Sequence, residues 1–546
     1  MRLPDTRQWS RAALLALVTL VAYLPAWKAG FLWDDDLLLT ENRRVQSGSL
    51  RELWTYSPET ECYPITWTSF WLEWRCWGMN PAGYHVTNIL LHTLGALLVW
   101  RVLERLGIRG AWWAAMIFAV HPVNVESAAW IAERKNTLSL VFCALTVLAF
   151  LRFDDSGRSG WYWGALAAFV AALLSKASAV PLPAVLLLCV WWHRGRLQRR
   201  DLLHVAPFVL LAAVAGWLAI GTYQWQSART ETVLSAQRPL GFRLGAAGHV
   251  FWFYARKALV PVHLMAVYPL WKFEKLTPLF WVPTLWIAVV AGVAWRFRAT
   301  WGRSVLFALL YFGIMLLPAL GLFNAPYIGR SPVVTDHLQY HAIIGVISLV
   351  VAAIMSLPRA VANGIALLLV GTLAALSAKR ASRYEDPVQF WTDTLAQNPQ
   401  AARAHYELAL HYDKLGRYDE ALKHYAATLQ WEPTYYKAHN NIGKVLIRHG
   451  RLAEALRHFE AAARLRPGVA ELYYNHGLAL FLAKRFPEAI LELKQAIRYQ
   501  PRNANAHACL ATAYSFVGKT QEARCHFAEA ARLNPNHPDF SRLLPP

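Results

Sequence analysis

The sequence predicts an all-α chain: a polytopic bundle of about eleven membrane helices, then an α-solenoid of helix pairs. Three observations carry this. Apolar types supply 56% of the residues and charged types 16%, against the ~25% charge of an ordinary soluble domain. The apolar residues gather into successive runs up to residue 377, whereas from 378 onward the chain is charged and amphipathic. In that second half Pro399, Pro433, Pro467, Pro501 and Pro535 recur at intervals of 34 residues. At 546 residues the chain exceeds one core, so two domains are expected, 1–377 and 378–546. A disordered chain and a single soluble globule are both excluded.

Spanning helices are expected near 11–27, 86–104, 111–130, 137–151, 161–175, 178–192, 203–223, 279–295, 304–323, 342–357 and 361–377. The formal net charge is +21, and no basic-aromatic recognition module accompanies it, so no nucleic-acid partner is expected. Much of that charge sits in alternate loops instead, at Arg101/Arg105/Arg109, Arg152/Arg158, Arg194/Arg196/Arg199/Arg200, Arg296/Arg298/Arg303 and Arg359. With Arg2, Arg7 and Arg11 at the N-terminus, all of these lie on one side, which the positive-inside rule makes cytoplasmic. The apolar stretch 243–265 would reverse the later loops if it spanned, so it is placed as an interfacial or re-entrant helix. The first helix has a basic start without a clean A-x-A site and is expected to be an uncleaved anchor. An odd number of spans then puts the second half outside the cytoplasm, in a periplasm or a lumen.

In phase with the prolines run small residues at Ala409/Gly443/Gly477/Ala511, Ala421/Ala455/Ala489/Ala523 and Thr428/Ala462/Ala496/Ala530. Small side chains let two antiparallel helices approach closely, and proline ends each second helix. This is the tetratricopeptide (TPR) signature: a half repeat at 386–401, then repeats 402–435, 436–469, 470–503 and 504–537. Asn441 and Asn475 share one register position and are candidates for holding a peptide backbone, although a solvated asparagine explains them too.

Chemistry is sought in the loops opposite the arginines. The loop 28–85 opens on Phe31-Leu32-Trp33-Asp34-Asp35-Asp36. Adjacent carboxylates at a membrane interface raise one another's pKa, as a general base near neutrality requires; the alternative is a solvated acidic cap. Further polar turns hold His121 to Glu126, Glu133-Arg134-Lys135-Asn136, Ser175-Lys176, and Arg330 through Asp336-His337 to His341. Ionisable groups at membrane depth are expensive and mark sites, while single cations also snorkel to headgroups. Acids in one loop and cations in several others make the pairing that a lipid-phosphate donor needs. Three carboxylates also suit a hard divalent cation, although no metal-ligand motif is present and no CxxC occurs. Cys62 and Cys76 share the first loop, where a disulfide would contribute roughly 3 kcal/mol. Cys143 and Cys189 read as packing residues, and Cys509 and Cys525 are rotated apart on paired helices.

The segments FLWDDDLLLTEN (31–42), YPITWTSFWLEW (63–74), GYHVTNILLHTLGALLV (83–99), FAVHPVNVESAAWIAERKNTLSLVF (118–142) and LLSKASAVPLP (173–183) resemble the transmembrane and tetratricopeptide repeat-containing family, a branch of the GT-C superfamily of membrane glycosyltransferases. The resemblance implies transfer of a sugar, mannose in animal relatives, from a polyprenyl (dolichyl-type) phosphate to a protein hydroxyl with inversion. It places the acidic pair on Asp34 and Asp35 with Asp36 beside them. Site support falls on His121 and Glu126 and donor-phosphate contacts on Arg134 and Lys176; beside these, Lys135 is a candidate phosphate contact and Arg330, Asp336 and His337 are candidate donor contacts read from their polar turns. Asn136 stands where relatives often carry Asp, and His337-Leu338-Gln339 departs from the pattern after Asp336. The implied partners are the lipid-linked donor, membrane lipid and an acceptor or partner protein bound by the repeats. The competing reading is a non-catalytic, membrane-anchored TPR scaffold. A transporter would need inverted internal symmetry, which the sequence does not show.

Overall fold

The computed structural model describes residues 6–55, 63–230, 239–271, 273, 277–322 and 334–534. Among them there is no strand, and the chain is all-α. It divides into two compact units, Met1–Phe390 and Trp391–Pro546. The partition falls beyond the compositional change at 377 because the last apolar helix runs on to Ser382. Cys62, which the disulfide would need, lies outside the described residues.

Among the described residues of the first unit, seven helices are long and apolar enough to cross a bilayer: Pro81–Arg105, Ile131–Ser156, Ala177–Arg194, Arg199–Thr222, Pro278–Arg296, Gly302–Ala319 and Arg359–Ser382. Ser159–Ser175 and Ile343–Ile354 are shorter apolar helices. Burial ranks them: 67% of the apolar stretch of Ile131–Ser156 is buried and 50% of that of Pro81–Arg105, against 11% for Pro278–Arg296. Ala177–Arg194 is likewise 50% buried, so these three form the centre and Pro278–Arg296 lies at the rim. Leu240–Leu259, which overlaps the stretch placed as interfacial or re-entrant, is a full helix but not one of the seven. Gly245 and Gly248 press it onto Pro278–Arg296, where a Cβ would meet the Phe280 ring and Thr284.

The segment expected to span at 111–130 is not one helix. Ala111–Ala119 stops, and a chain of short turns follows, Pro122–Asn124, Val125–Ala129 and Ile131–Glu133, before the helix Arg134–Ser156. Pro122 has no N–H to continue the ladder, and His121 turns back so that its Nδ1 accepts from Val123 N at 3.3 Å. Residues 114–134 are nevertheless all buried. Irregular backbone survives inside a membrane protein only where other groups satisfy it, and here side chains do so. Asn124 Nδ2 donates to Phe118 O at 2.7 Å, His92 Nε2 to Ala119 O at 2.8 Å and Ser377 Oγ to Val120 O at 2.8 Å. Arg380 Nη1 takes Pro122 O, His85 Nδ1 takes Ala129 O and Asn88 Nδ2 takes Trp130 O, all at 2.8 Å.

The second unit stacks four helix pairs, Ala402–Lys414 with Tyr418–Trp431, Tyr436–Arg448 with Leu452–Leu465, Ala470–Leu482 with Phe486–Tyr499, and Ala504–Phe516 with Thr520–Leu533. The small residues sit where the helices touch: Ala409, Ala421, Ala455, Ala489, Ala511 and Ala523 are fully buried. A Cβ at Gly443 would lie 2.6 Å from the Phe459 ring.

The bend inside each repeat needs a left-handed residue. Gly416, Gly450 and Gly518 supply it with φ of 73°, 72° and 78°, but the third repeat uses Lys484 at φ 59°. A side chain there costs roughly 1–2 kcal/mol, partly offset by the chain entropy that glycine loses. Lys484→Gly is therefore expected to stabilise the second unit by about 0.5–1 kcal/mol, read as a later unfolding transition of the full chain by circular dichroism.

Candidate functional site

The buried turns carry two carboxylates that organise one end of the first unit. Glu126 Oε1 accepts from His337 Nδ1 at 2.7 Å, and its Oε2 lies 3.6 Å from Arg380 Nη2. That same guanidinium nitrogen reaches Asp336 Oδ2 at 2.7 Å, and Tyr268 donates its hydroxyl to Asp336 Oδ1 at 2.8 Å. Arg380 thus ties the turn Asp336–Gln339 to the turn at Pro122. Gln339 is fully buried, and neither of its amide atoms has a partner among the described residues. A buried polar group in that state calls for water or a ligand.

Glu133 gathers the cations. Its Oε2 accepts from Lys176 Nζ at 3.2 Å and Asn136 Nδ2 at 2.6 Å. Its Oε1 lies 3.4 Å from Lys135 Nζ and 3.8 Å from His337 Nε2. Lys176 also donates to Asn136 Oδ1 at 2.8 Å. Two lysines and a histidine so surround one carboxylate, and the histidine is shared with Glu126. The side chains of Lys135 and His337 keep 19% and 16% of their surface exposed, against 2% for Glu133. The cations can therefore meet a ligand, while the acid that positions them cannot.

The acidic segment docks beside this cluster. Asp35 is fully buried; its Oδ2 accepts from Leu32 N at 2.9 Å and its Oδ1 from Ala132 N, next to Glu133, at 2.8 Å. Burial raises its carboxyl well above the usual range and Asp34 and Asp36 add to this, while the two backbone N–H groups oppose it. Trp130 donates its indole N–H to Leu32 O at 3.1 Å. Trp33 stacks on Trp130 with centroids 4.7 Å apart and planes 13° apart. Trp33 has φ 56°, a strained conformation for a bulky residue and one that clusters at functional sites. The other face of the acidic run is local: Asp36 Oδ1 accepts from Thr40 Oγ1 at 2.8 Å. Asp34, just before Asp35 in the chain, is half-buried.

The structure therefore brings Asp35, Glu126, Lys135, Lys176, Asp336 and His337 to one end, with Asp34 next to Asp35 in the chain. Other expected contacts take different roles. Arg134 is wholly buried: its guanidinium pairs with Glu73 Oε2 at 2.5 Å, donates to Tyr84 O at 2.9 Å and Ser69 Oγ at 3.3 Å, and is held by Asn88. Its donors are spent on the fold and it is not exposed to a ligand. His121 spends its Nε2 on Ala258 O at 3.1 Å and so supports the turn from behind. Arg330 lies outside the described residues. Asn441 donates to the hydroxyls of Tyr406 and Tyr425 at 3.2 and 3.3 Å, and Asn475 to Asn440 Oδ1 at 2.9 Å. These amides tie successive repeats together.

For a divalent cation, the group of three ligand-type side chains found among the described residues is Asp154, Asp155 and His193. Asp154 pairs with Arg194 and Asp155 with Arg105. The group sits at the far end of Arg134–Ser156, about 30 Å from Glu133. Arg380 and Tyr268 belong to the site without having been named from sequence, and Glu133 was named only as part of its polar turn. Glu133 had a signal, as the one acid inside a turn of cations; Arg380 had none beyond following the last apolar run. Between Pro81–Arg105, Ile131–Ser156, Ala177–Arg194, Gly302–Ala319 and Ile343–Ile354 lies a cavity of about 730 Å³. It is lined largely by Val, Leu, Ile and Ala, and reaches His341 beside the site.

Comparison with known proteins gives both halves a match. The dolichyl-phosphate-mannose-protein mannosyltransferase family matches residues 71–220, and the tetratricopeptide repeat matches 372–433 and 440–505. "Protein O-mannosyl-transferase F38B6.6" of Caenorhabditis elegans is 22% identical over 425 residues, covering 72% of this chain and 59% of that protein. "Protein O-mannosyl-transferase Tmtc1" of Drosophila melanogaster is 31% identical over 186 residues, covering 31% of this chain and 21% of the relative. The chain thus spans less than two thirds of the length of these relatives. Among solved structures, "Crystal structure of MamA" matches 27% of this chain and 86% of that one at 20% identity, with a TM-score of 0.26.

The Arg134–Glu73 pair is a fold element, and its removal tests that assignment. Arg134→Ala leaves a buried carboxylate uncompensated and is expected to cost about 3–5 kcal/mol. Arg134→Ala combined with Glu73→Gln recovers much of this, and Lys135→Ala costs little. Thermal unfolding of the full chain in detergent reads all three.

Proposed function

We propose that this chain is a membrane glycosyltransferase of GT-C type, moving mannose from a polyprenyl-phosphate donor to a Ser or Thr hydroxyl of a protein. The observation that carries the reading is the 2.8 Å bond from Ala132 N to Asp35, which seats the acidic first loop against the cation cluster around Glu133. A base and an anion site are then within one pocket, which is what displacement of a lipid phosphate requires. The names of the relatives and the 71–220 family match support the sugar and the lipid carrier.

The roles divide by burial. Asp35, with each oxygen already accepting a backbone N–H, pins the loop. Asp34 takes the hydroxyl proton as the acceptor oxygen attacks the anomeric carbon from the face opposite the phosphate. The bond from that carbon to the phosphate oxygen breaks, the configuration inverts, and polyprenyl phosphate leaves with the electron pair. Lys176 and Lys135, with His337 beside them, meet its charge. Glu126, Asp336 and Arg380 hold the His337 turn in place, and the stacked Trp33 and Trp130 offer an apolar wall to a sugar face. The 730 Å³ cavity falls within the 300–1,000 Å³ of ligand pockets and suits isoprenoid units. The site faces away from the cytoplasm, as does the domain 378–546, whose repeats recruit the acceptor or a partner.

Asp34→Asn is expected to lower transfer of mannose from polyprenyl-phosphate mannose to an acceptor peptide by about 10²–10⁴-fold. Asp36→Asn, whose carboxylate accepts from Thr40 in its own turn, should stay within a few-fold. Lys176→Met should slow turnover without loss of the folded chain. Wild-type activity in Asp34→Asn would remove the base from this account, and unchanged turnover in both Asp34→Asn and Lys176→Met would leave a docking platform as the better description.

A further inference from the structure

The histidines of the second unit form a pattern that glycosyl transfer does not use. His405, His439 and His507 occupy one position on the first helices of three repeats, and His424, His458 and His526 one position on the second helices. Within each repeat the two rings meet Nδ1 to Nδ1, at 3.0 Å for His405 and His424, 3.0 Å for His439 and His458, and 2.9 Å for His507 and His526. Their centroids stand 5.3, 5.1 and 5.1 Å apart, so the facing nitrogens lie between the rings and point at one another. The proton between them has one owner. Nε2 of each first-helix ring faces the carbonyl of a register proline: Pro399 at 3.1 Å, Pro433 at 3.4 Å and Pro501 at 3.1 Å. A carbonyl only accepts, so that Nε2 carries the ring's proton, and Nδ1 of the neutral ring is a lone pair. The second-helix ring donates its Nδ1–H to that lone pair. Each of the three repeats is thus fastened by one N–H···N bond between its two helices.

We propose that these pairs are an acid-operated latch on the repeat unit: each closes its helix pair while the two rings share one facing proton, and a second facing proton opens it. The first proton added goes to Nε2 of the second-helix ring and leaves the N–H···N bond in place. The next has the first-helix Nδ1 to enter, where it meets the partner's N–H head-on at 2.9–3.0 Å. An opened pair accepts both. Each latch therefore takes up one more proton open than closed, and its stabilisation, full above the ordinary histidine value of about 6.5, is lost as pH falls below it. Burial already disfavours charge on His405, His439, His458 and His526 and holds His424 at about 4. Neighbouring groups give little relief. Lys423 stands beside the first pair, Arg457 and Glu454 beside the second, and Lys494 and Glu529 beside the third. Both glutamates are themselves paired, with Arg451 and Arg532, while Tyr412 and Tyr514 stack on His424 and His526. The remaining repeat has Tyr473 and Glu492 at the two positions and carries no latch. Stacked repeats rest on their neighbours, so opening three of the four takes apart the surface the unit presents at neutral pH.

The test is hydrogen exchange of the full chain in detergent, read by mass spectrometry from pH 7.5 to 5 and corrected for the intrinsic pH dependence of exchange. The window lies above the range of Glu420, Glu454, Glu488 and Glu529, whose arginine partners hold them below the ordinary carboxylate value. Below about pH 6, protection in residues 402–431, 436–465 and 504–533 is expected to fall about tenfold per pH unit, one proton for each pair, while Pro81–Arg105 and Ile131–Ser156 keep theirs. Asparagine retains a donor near the Nδ1 position and takes up no proton. His424→Asn, His458→Asn and His526→Asn together are therefore expected to flatten the fall, with protection at pH 7.5 within a few-fold of wild type. A second arm does not depend on that variant folding: Tyr473→His with Glu492→His adds a fourth pair and steepens the response of residues 470–499. Wild-type protection independent of pH across this range, a fall in the triple variant equal to that of the wild type, or an unchanged response of 470–499 on gaining a pair would each overturn the latch.

Discussion

The first unit depends on one constraint: backbone that leaves helical geometry deep inside a helical bundle must have every carbonyl and N–H satisfied. An unpaired buried group costs about 1–3 kcal/mol, and no water is at hand at membrane depth to relieve it. The turns between Ala119 and Arg134 meet this with side chains drawn from three other parts of the chain. They also anchor two of their own side chains on carbonyls of the first loop and of a fourth part. His85, Asn88 and His92 come from Pro81–Arg105, Ser377 and Arg380 from Arg359–Ser382, Asp35 and the Leu32 carbonyl from the first loop, and the Ala258 carbonyl from Leu240–Leu259. The turns are thus the point at which the helices are fastened to one another, and their shape is set by several partners at once.

The same fastening assembles the site. Asp35 reaches Ala132 because Ala132 needs an acceptor for its N–H, and that contact fixes where Trp33 and Asp34 stand. Arg380 comes to Pro122 for a carbonyl, and in doing so places positive charge between Glu126 and Asp336. Buried charges are tolerable only in such mutual company, since breaking a pair leaves its partner stranded. Function here uses what the break already requires. A regular helix through 111–130 would have kept its own hydrogen bonds, and there would have been no reason for acids and bases to gather at its middle. The strained Trp33 follows too, because its φ is held by the Trp130 stack and by the hydrogen bonds on either side of it.

Much of this was legible in the sequence, and what was missed has a common cause. Hydropathy reports length and composition, so the apolar segments are found within a few residues of where they were expected, and the 34-residue register is found in helix pairs with small residues at their contacts. Hydropathy does not report continuity. The run 111–130 is as apolar as its neighbours, and only His121-Pro122 marks the place where it breaks. Residue type likewise signals charge without signalling partners. Arg134 and Lys135 are adjacent cations of equal standing in the sequence, yet one closes a buried pair with Glu73 and the other faces Glu133 at a partly open edge. Asn441 and Asn475 keep the register expected of a peptide-binding ladder, but their amides bind the neighbouring repeat. In each case periodicity located the residue and tertiary contact decided its work.

One signal did carry the missing information. His85, Asn88 and His92 lie at i, i+3 and i+7 on an otherwise apolar helix and so share one face. All three are buried, with at most 1% of their surface exposed. Three polar side chains along a face that packs into the centre of a membrane bundle have to be matched by three polar groups opposite. A neighbouring regular helix has none to offer, since its carbonyls are spent on its own ladder. Such a stripe therefore implies that the element packed against it is broken, and the nearest segment with a proline in its middle is 111–130. The polar stripe and the proline together point to an irregular, carbonyl-rich interior, and in a chain whose acids and bases must meet somewhere, that interior is where they can be held.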